Sequence, residues 1–191
     1  MSEMRHKYAT YKDSELVVLM KKGTNQESEA AFTEIYDRYG LRINAYCRSI
    51  LGDRDQAEDI FQETFLRFYQ KVRADYKSGS VIGFLITISR NLCLNAKRNA
   101  KPTIPIEEFE FVGQEDNTYE QKELSNLIMM ALDLIDPMYK EAIVLRSFND
   151  MRYKEIAEIL EITEARARYL VYNGKQKIKT VLTPYMKDTY K

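Results

Sequence analysis

Two segments of the chain concentrate side chains that bind phosphate groups. Residues 70–98 hold six Lys and Arg residues against one acidic residue, a net charge of +5, and residues 163–191 hold seven against two, again a net charge of +5. Contacts with nucleic-acid phosphates require Lys and Arg, and neighbouring aromatic rings can stack on bases. The chemistry that these segments predict is noncovalent binding of nucleic acid.

The charge of the whole chain is segregated along the sequence. Its 29 basic residues equal its 29 acidic residues, and a net charge of zero by itself argues against a nucleic-acid partner. The acidic residues, however, collect in residues 53–63 and 107–123. A chain that is neutral in sum but segregated in detail can present basic and acidic faces to different partners.

The residue types that enzymes use are absent or scattered. The only histidine, His6, lies close to the N-terminus, and the sequence contains neither a Gly-rich phosphate cradle nor a metal-ligand spacing. The carboxylates show no pairing typical of a general acid and base. The sequence therefore predicts no catalytic residue, no metal site and no cofactor.

The cysteines and the hydropathy pattern indicate a cellular compartment. Cys47 and Cys93 have no neighbouring His or Cys and are expected to be small buried hydrophobic residues in a reducing environment. No apolar run approaches the roughly 20 residues of a membrane span, and the first residues lack the apolar core of a signal peptide. We expect a cytoplasmic protein without direct membrane insertion.

Apolar residues at steps of three and four predict an all-α fold in the first part of the chain. Asp13 is the expected N-cap of one helix, and Asp55 with Glu58 has the N-cap and N3 spacing of a capping box. A buried stripe follows that box, formed by Phe61, Phe65, Phe68 and Val72. Residues 81–88 are β-branched enough for a strand, but helix is favoured because the stripe continues through them and the flanking elements are helical.

The middle of the chain interrupts this pattern. Pro102 and Pro105 remove helix-interior hydrogen bonds, and six acidic residues between positions 107 and 120 oppose packing. At 191 residues the chain fits two small domains better than one. We predict helical domains at residues 1–99 and 123–191, joined by an acidic extended linker at residues 100–122.

The second domain has the pattern of a helix-turn-helix. Asp136 and Pro137 supply an N-cap and a first helical residue. Further on, a short apolar-faced helix ending at Leu160 is joined by a three-residue turn, residues 161–163, to a longer basic helix. This arrangement allows the N-terminus of the second helix to enter a major groove.

These residues resemble a known family. The stretch 53–67, which contains Gln62-Glu63-Thr64-Phe65, closely resembles the region-two helix of extracytoplasmic-function sigma factors in the bacterial sigma-70 family. Phe84-Leu85 with Ile88-Ser89-Arg90-Asn91-Leu92 is similar to the next helix of that group, and residues 153–160 are similar to its region-four helix-turn-helix. The resemblance covers roughly residues 13–98 and 133–182.

The resemblance implies a role in transcription initiation. Factors of this group bind core RNA polymerase through its clamp coiled coil and its flap. Region two melts and captures the minus-10 strand of promoter DNA, and region four contacts the minus-35 duplex. The linker passes through the RNA exit and active-site channels, where an acidic extended segment can mimic nucleic acid.

The resemblance also suggests which residues make these contacts, and each set has a simpler alternative as a solvated helix end or an ordinary turn. The polymerase contacts would be Gln56, Asp59, Gln62 and Glu63. The minus-10 contacts would be Tyr76, Lys77, Ser78, Gly79, Ser80, Arg90, Asn91, Asn95, Lys97 and Arg98, with residues 76–80 forming a loop suited to hold a flipped base. The minus-35 contacts would be Thr163, Arg166, Arg168, Tyr169, Tyr172 and Lys175, and Thr163 is also the expected cap of the recognition helix.

Four positions depart from the family pattern in the second domain. Arg152 replaces a capping Ser, Glu161 replaces the turn Gly, Leu170 occupies a position that is commonly Arg, and Gly174 weakens the recognition helix. We therefore hypothesise weak minus-35 reading, supplemented by recruitment through another DNA-bound protein. An anti-sigma factor is a further candidate partner. A one-component helix-turn-helix regulator is the alternative function, although it would not need the residues between Asp55 and Arg98.

Overall fold

The computed structural model describes residues 8–76, 79–99 and 119–186, and in the last segment the side chains of residues 124–185. The regular elements of these segments are all helical, which confirms the predicted fold class for the described part of the chain. The chain divides into two compact units, residues Met1–Pro102 and Thr103–Lys191. Residues 100–118 of the predicted linker lie outside the described residues.

The first unit contains four helices: α1 (Asp13–Lys22), α2 (Asn25–Leu51), α3 (Arg54–Ala74) and α4 (Val81–Asn99). The long helix α2 packs against the other three, and α3 also packs against α1 and α4. The fully buried large side chains of this core are Leu16, Met20, Ile35, Ile43, Tyr46, Phe68, Leu85 and Ile86. Apolar packing on one side of each helix therefore holds the unit together.

Helix α1 begins differently from the prediction. Its N-cap is Lys12, whose backbone N–H donates to Glu15 Oε2 at 2.6 Å, so the prediction of Asp13 as N-cap was wrong. The Asp13 carboxylate instead accepts hydrogen bonds from Arg38 Nη1 at 3.0 Å and from the Tyr39 hydroxyl at 2.5 Å. Its long-range role in joining α1 to α2 outweighs local capping.

Helix α3 is capped two residues earlier than predicted. Asp53 has extended backbone angles and its Oδ1 accepts the Gln56 N–H at 2.8 Å, so the predicted capping box of Asp55 and Glu58 was wrong. Gly52, at φ 77°, ends α2 in the left-handed conformation. The chain turns there and reaches the capping conformation at the next residue. The spacing of residues in the sequence did not show that only Gly52 and Asp53 connect α2 to α3.

Residues 81–88 belong to helix α4, as predicted, and the alternative of a strand is excluded. Ser80 Oγ accepts the Gly83 N–H at 3.1 Å, a contact that satisfies one of the free donors of the first turn. Val81, Leu85 and Ile88 face the core. Cys47 and Cys93 are also buried, and both are free thiols.

The second unit contains α5 (Tyr119–Asp133), α6 (Pro137–Ile143) with a π-helical turn over Val144–Phe148, α7 (Tyr153–Leu160) and α8 (Glu164–Met186). Helix α8 packs against α5, α6 and α7. The Asp136 carboxylate accepts the Met138 N–H at 2.9 Å and Pro137 is the first helical residue, which confirms the predicted start of α6. Helix α5 begins within the end of the range predicted for the linker.

Gly174 is required by the packing of α8 against α6. A Cβ atom at this position would lie 2.6 Å from Ile143 Cδ1 and 3.2 Å from Tyr139 Cβ. Ile143 is itself buried in a cluster with Met129, Leu132 and Ile135 and has little room to move. The expectation that Gly174 merely weakens the helix therefore missed its main effect, which is close contact between two helices.

Gly174→Ala is expected to destabilise the second unit by roughly 1–3 kcal/mol, because overpacking exceeds the gain in helix propensity of about 1 kcal/mol. Gly40→Ala is the matched control, since its Cβ would meet Phe61 and Tyr36 at an ordinary 3.8 Å. We expect Gly40→Ala to be neutral or stabilising. Thermal unfolding of the full chain, with hydrogen exchange to locate the change, measures both. Equal stability of the two variants would contradict the packing argument.

Candidate nucleic-acid interface

Aromatic packing between α2 and α3 fixes which side of α3 faces solvent. The Tyr36 ring lies 5.6 Å from Phe61 and 4.8 Å from Phe65, and the two phenylalanine rings are 5.2 Å apart. Both phenylalanines are buried. The opposite side of α3, which carries the predicted polymerase contacts, therefore points outward.

Those predicted contacts share an exposed, mostly acidic surface. Gln56, Asp59 and Gln62 are exposed, whereas the half-exposed Glu63 carboxylate pairs with Arg67 Nε at 2.6 Å. Gln62 Nε2 also donates to Glu58 Oε1 at 3.1 Å. The structure thus brings all four predicted residues to the outer side of one helix.

Sequence reasoning missed Leu66 on this surface. Leu66 is 53% exposed and was not named among the predicted contacts. It follows Gln62 by four residues and Glu63 by three, which makes the three side chains neighbours on the helix surface. The available signal was its position outside the buried stripe of Phe61, Phe65 and Phe68.

The loop before α4 is anchored by Tyr76. The Tyr76 hydroxyl donates to the Gly79 carbonyl at 2.9 Å, and its ring lies 5.0 Å from the Phe84 ring. Burial raises the pKa of the Tyr76 hydroxyl, and the negative charge of Asp13 adds to the effect. Gly79 adopts φ 137°, a conformation that favours glycine. Lys77 and Ser78 lie outside the described residues.

The remaining predicted minus-10 residues lie on the solvent side of α4. Asn91, Asn95, Lys97 and Arg98 are exposed and Arg90 is half-buried. Arg98 Nη2 donates to Asn95 Oδ1 at 3.0 Å. Asn91, Asn95 and Arg98 follow the i, i+4, i+7 spacing of one helix face. The helix therefore presents amides and positive charge together at its C-terminal end.

The helix-turn-helix is confirmed, with an unusual turn. Glu161 adopts the left-handed conformation (φ 56°, ψ 45°) that a glycine usually provides. Thr163 Oγ1 accepts the Arg166 N–H at 3.2 Å and so caps α8 as predicted. At the other end of α7, Glu155 Oε2 accepts the Arg152 N–H at 2.8 Å, the half of a capping box that does not depend on a Ser at position 152.

The recognition helix α8 presents the predicted minus-35 side chains outward. The exposed ones are Thr163, Arg166, Arg168, Tyr169, Tyr172 and Lys175. The Arg166 guanidinium lies 4.8 Å from the Tyr169 ring, and a hydrogen bond with Tyr169 raises the pKa of the Tyr139 hydroxyl. Leu170, by contrast, is fully buried. Leu170 therefore contributes to the core of the second unit.

Comparison with known proteins decides the identity. The sequence matches Sigma-70 region 2 over residues 35–103 and Sigma-70, region 4 over residues 125–178. It is 29% identical to the ECF RNA polymerase sigma factor SigW of Bacillus subtilis over 178 residues, covering 85% of this chain and 92% of SigW. The chain belongs to the extracytoplasmic-function group of the sigma-70 family. It is an RNA polymerase sigma factor for promoter-specific initiation. The comparisons do not favour the alternative function, a one-component helix-turn-helix regulator.

Other comparisons agree with this assignment. The sigma factor is 26% identical to the ECF RNA polymerase sigma factor SigE of Mycolicibacterium smegmatis over 173 residues, covering 86% of this chain but 66% of SigE. Its fold is similar to that of the sigma factor RpoE from Bartonella quintana, solved in complex with the anti-sigma factor NepR. The TM-score is 0.64 at 17% identity, over 80% of this chain and 96% of RpoE. This similarity shows the shared helical fold.

Two features are absent from the described residues. Among residues 8–76, 79–99 and 119–186, the sigma factor has no helix with the length and hydropathy to cross a membrane. The same part of the chain holds no group of three or more His, Cys, Asp or Glu side chains that could bind a metal ion.

Glu161→Gly is expected to stabilise the second unit by about 0.5–1 kcal/mol, because it removes the steric cost of a left-handed non-glycine residue. Glu158→Gly is the control, since Glu158 is exposed within α7 and glycine there should destabilise by about 1 kcal/mol. Thermal unfolding of the full chain separates the two. A lower melting temperature for Glu161→Gly would show that the Glu161 side chain stabilises the turn.

Proposed function

We propose that this sigma factor makes three macromolecular contacts through three separate surfaces. The domain of residues 1–99 binds core RNA polymerase and the opened minus-10 strand, and the domain that begins with α5 contacts the minus-35 duplex. The linker between them ends before Tyr119, four residues earlier than predicted. The observation that carries this assignment is the division of exposed side chains. An acidic face lies on α3, while basic and amide faces lie on α4 and α8.

The polymerase surface is the outer side of α3, with the clamp coiled coil as its partner. Leu66 gives this surface an apolar centre, and Asp59, Gln62 and Glu63 surround it with polar groups. An apolar anchor within a polar rim is the usual arrangement of an energetically dominant contact. The buried rings of Phe61 and Phe65 keep the anchor in place. We propose that the second unit binds the flap of the polymerase.

The minus-10 surface is the exposed side of α4 together with the loop that precedes it. Arg98 and Lys97 supply positive charge for phosphates, and Asn91 and Asn95 supply amides that can bond to base edges or sugars. Tyr76 contacts Gly79 and Phe84, so these described residues of the site are held in place before a strand binds. A preformed site loses less entropy when it captures a strand.

The minus-35 surface is the N-terminal half of α8, which is suited to backbone contact more than to strong base reading. Glu164 occupies the first turn and pairs with Arg168, with 2.5 Å between Oε1 and Nη2. The exposed carboxylates of Glu158 and Glu161 lie on or next to α7. These charges oppose DNA phosphates. We therefore expect a second DNA-bound protein to assist recruitment.

The regulation and location of the sigma factor follow from its family. RpoE of Bartonella quintana has been solved with the anti-sigma factor NepR, and we propose that an anti-sigma factor controls this chain as well. We further propose that the chain is not an enzyme, because the polymerase would carry out the chemistry. It would act in the cytoplasm, where polymerase and promoter DNA are found.

Asp59→Ala and Gln62→Ala are each expected to weaken binding to core RNA polymerase by about tenfold, because they remove the polar rim around Leu66. Leu66→Ala should weaken it at least as much. Glu29→Ala, an exposed carboxylate on α2, is the control. Titration of labelled chain with purified core polymerase measures each affinity. Unchanged affinity for all three α3 variants would place the polymerase contact elsewhere.

Arg98→Gln is expected to weaken capture of the opened minus-10 strand and to lower its salt slope by about 0.7, the value for one phosphate contact on a single strand. Arg54→Gln, an exposed arginine at the start of α3, is the control. The measurement is binding of holoenzyme to a single-stranded minus-10 oligonucleotide over a range of salt concentrations. If both variants behaved like wild type, α4 would not follow the phosphate backbone.

A further inference from the structure

Tyr153, the first residue of α7, holds two arginine side chains that come from different elements. The guanidinium carbon of Arg168, on the recognition helix, lies 4.7 Å from the Tyr153 ring centroid. That of Arg146, in the π-helical turn after α6, lies 5.3 Å from the same centroid. Two like charges thus approach one ring, whose negative face attracts cations and offsets their mutual repulsion.

Each arginine has a further contact that orients it. Arg146 Nη1 donates to the Met151 carbonyl at 2.9 Å, and its pair with the exposed Asp150 is longer, at 3.5 Å. Arg168 Nη2 lies 2.5 Å from Glu164 Oε1. The ring and these contacts restrict the rotamers of both side chains before any ligand is present. Restricted side chains lose less entropy when they bind.

The position of this cluster indicates a ligand. Arg168 lies about one turn into the helix that a helix-turn-helix inserts into the major groove, and Tyr153 begins the helix that crosses the DNA backbone. Planar guanidinium groups bind phosphate oxygens with two parallel hydrogen bonds. Arg146 and Arg168 are 35% and 61% exposed at their side chains, so a phosphate can reach both.

We propose that Arg146, Tyr153 and Arg168 form a clamp for backbone phosphates of duplex DNA. The two guanidinium groups bind phosphates, and Tyr153 is a positioning residue that holds them. The clamp adds detail to the proposed minus-35 contact and rests on that proposal. It gives roles in DNA binding to Arg146 and Tyr153, which sequence patterns did not indicate. It binds duplex of any sequence, because phosphate contacts carry no base information.

Glu164 limits the strength of the clamp. Its carboxylate competes with phosphate for Arg168, and its negative charge lies at the end of α8 that approaches DNA. Removal of this charge by Glu164→Gln therefore releases Arg168. The clamp predicts that this variant binds duplex DNA more tightly and that most of the gain is lost in the Arg168→Gln background, whereas simple removal of a repulsive charge predicts the same gain in both backgrounds.

The test measures the affinity of reconstituted holoenzyme for duplex promoter fragments over a range of salt concentrations. Arg146→Gln and Arg168→Gln should each weaken binding roughly three- to tenfold and lower the salt slope by about 0.9, the value for one lost phosphate contact. The weakening should be the same on fragments with different minus-35 sequences. Tyr153→Phe keeps the ring and should behave like wild type, whereas Tyr153→Leu should weaken binding. Glu164→Gln should strengthen it.

An unchanged salt slope in Arg146→Gln, or a loss confined to one minus-35 sequence, would overturn the clamp. The same variants are measured in parallel as the full chain alone on a duplex of unrelated sequence, where the clamp predicts the same changes in slope. Failure of wild-type chain to bind core polymerase would refute the proposed function, whereas normal polymerase binding with unchanged slopes would refute the clamp alone. Thermal unfolding of Tyr153→Leu verifies that the variant is folded.

Discussion

The contact of Tyr36 with Phe61 and Phe65 is the constraint on which the proposed polymerase surface depends. Because those rings are buried between α2 and α3, the polar residues of α3 must point outward, and Leu66 is left exposed among them. The same packing places α3 where it also supports α4, which carries the proposed strand-binding side chains. Burial on one side of a helix thus determines function on the other.

In the second unit, burial also decides which side of a helix faces solvent. The α8 residues Ala167, Leu170 and Val171 are buried in the core, so Arg168 and Tyr169, which lie between them in the sequence, face solvent. Gly174 lets α8 approach α6 closely, and Glu161 makes the turn without glycine. The acidic residues near this turn are the reason for proposing that this helix-turn-helix, despite its exposed arginines, needs assistance for promoter binding.

The sequence was sufficient for the helical fold, the start of α6 at Asp136-Pro137 and the capping by Thr163, because these follow from local periodicity and hydrogen bonding. It was insufficient where long-range contacts decide. Asp13 was predicted to cap a helix but joins α1 to α2, and Gly174 was predicted to weaken a helix but permits packing. Leu66 is different, because its position outside the buried stripe of α3 already pointed to exposure but was not used.

The measurement that tests the account most directly is transcription by purified core RNA polymerase with and without this chain on a library of promoter fragments. The account predicts that the chain binds the polymerase and directs initiation to fragments sharing a minus-10 element, more strongly when a DNA-bound helper is supplied. Absence of a complex with the polymerase, together with start sites identical to those of core enzyme alone, would contradict it.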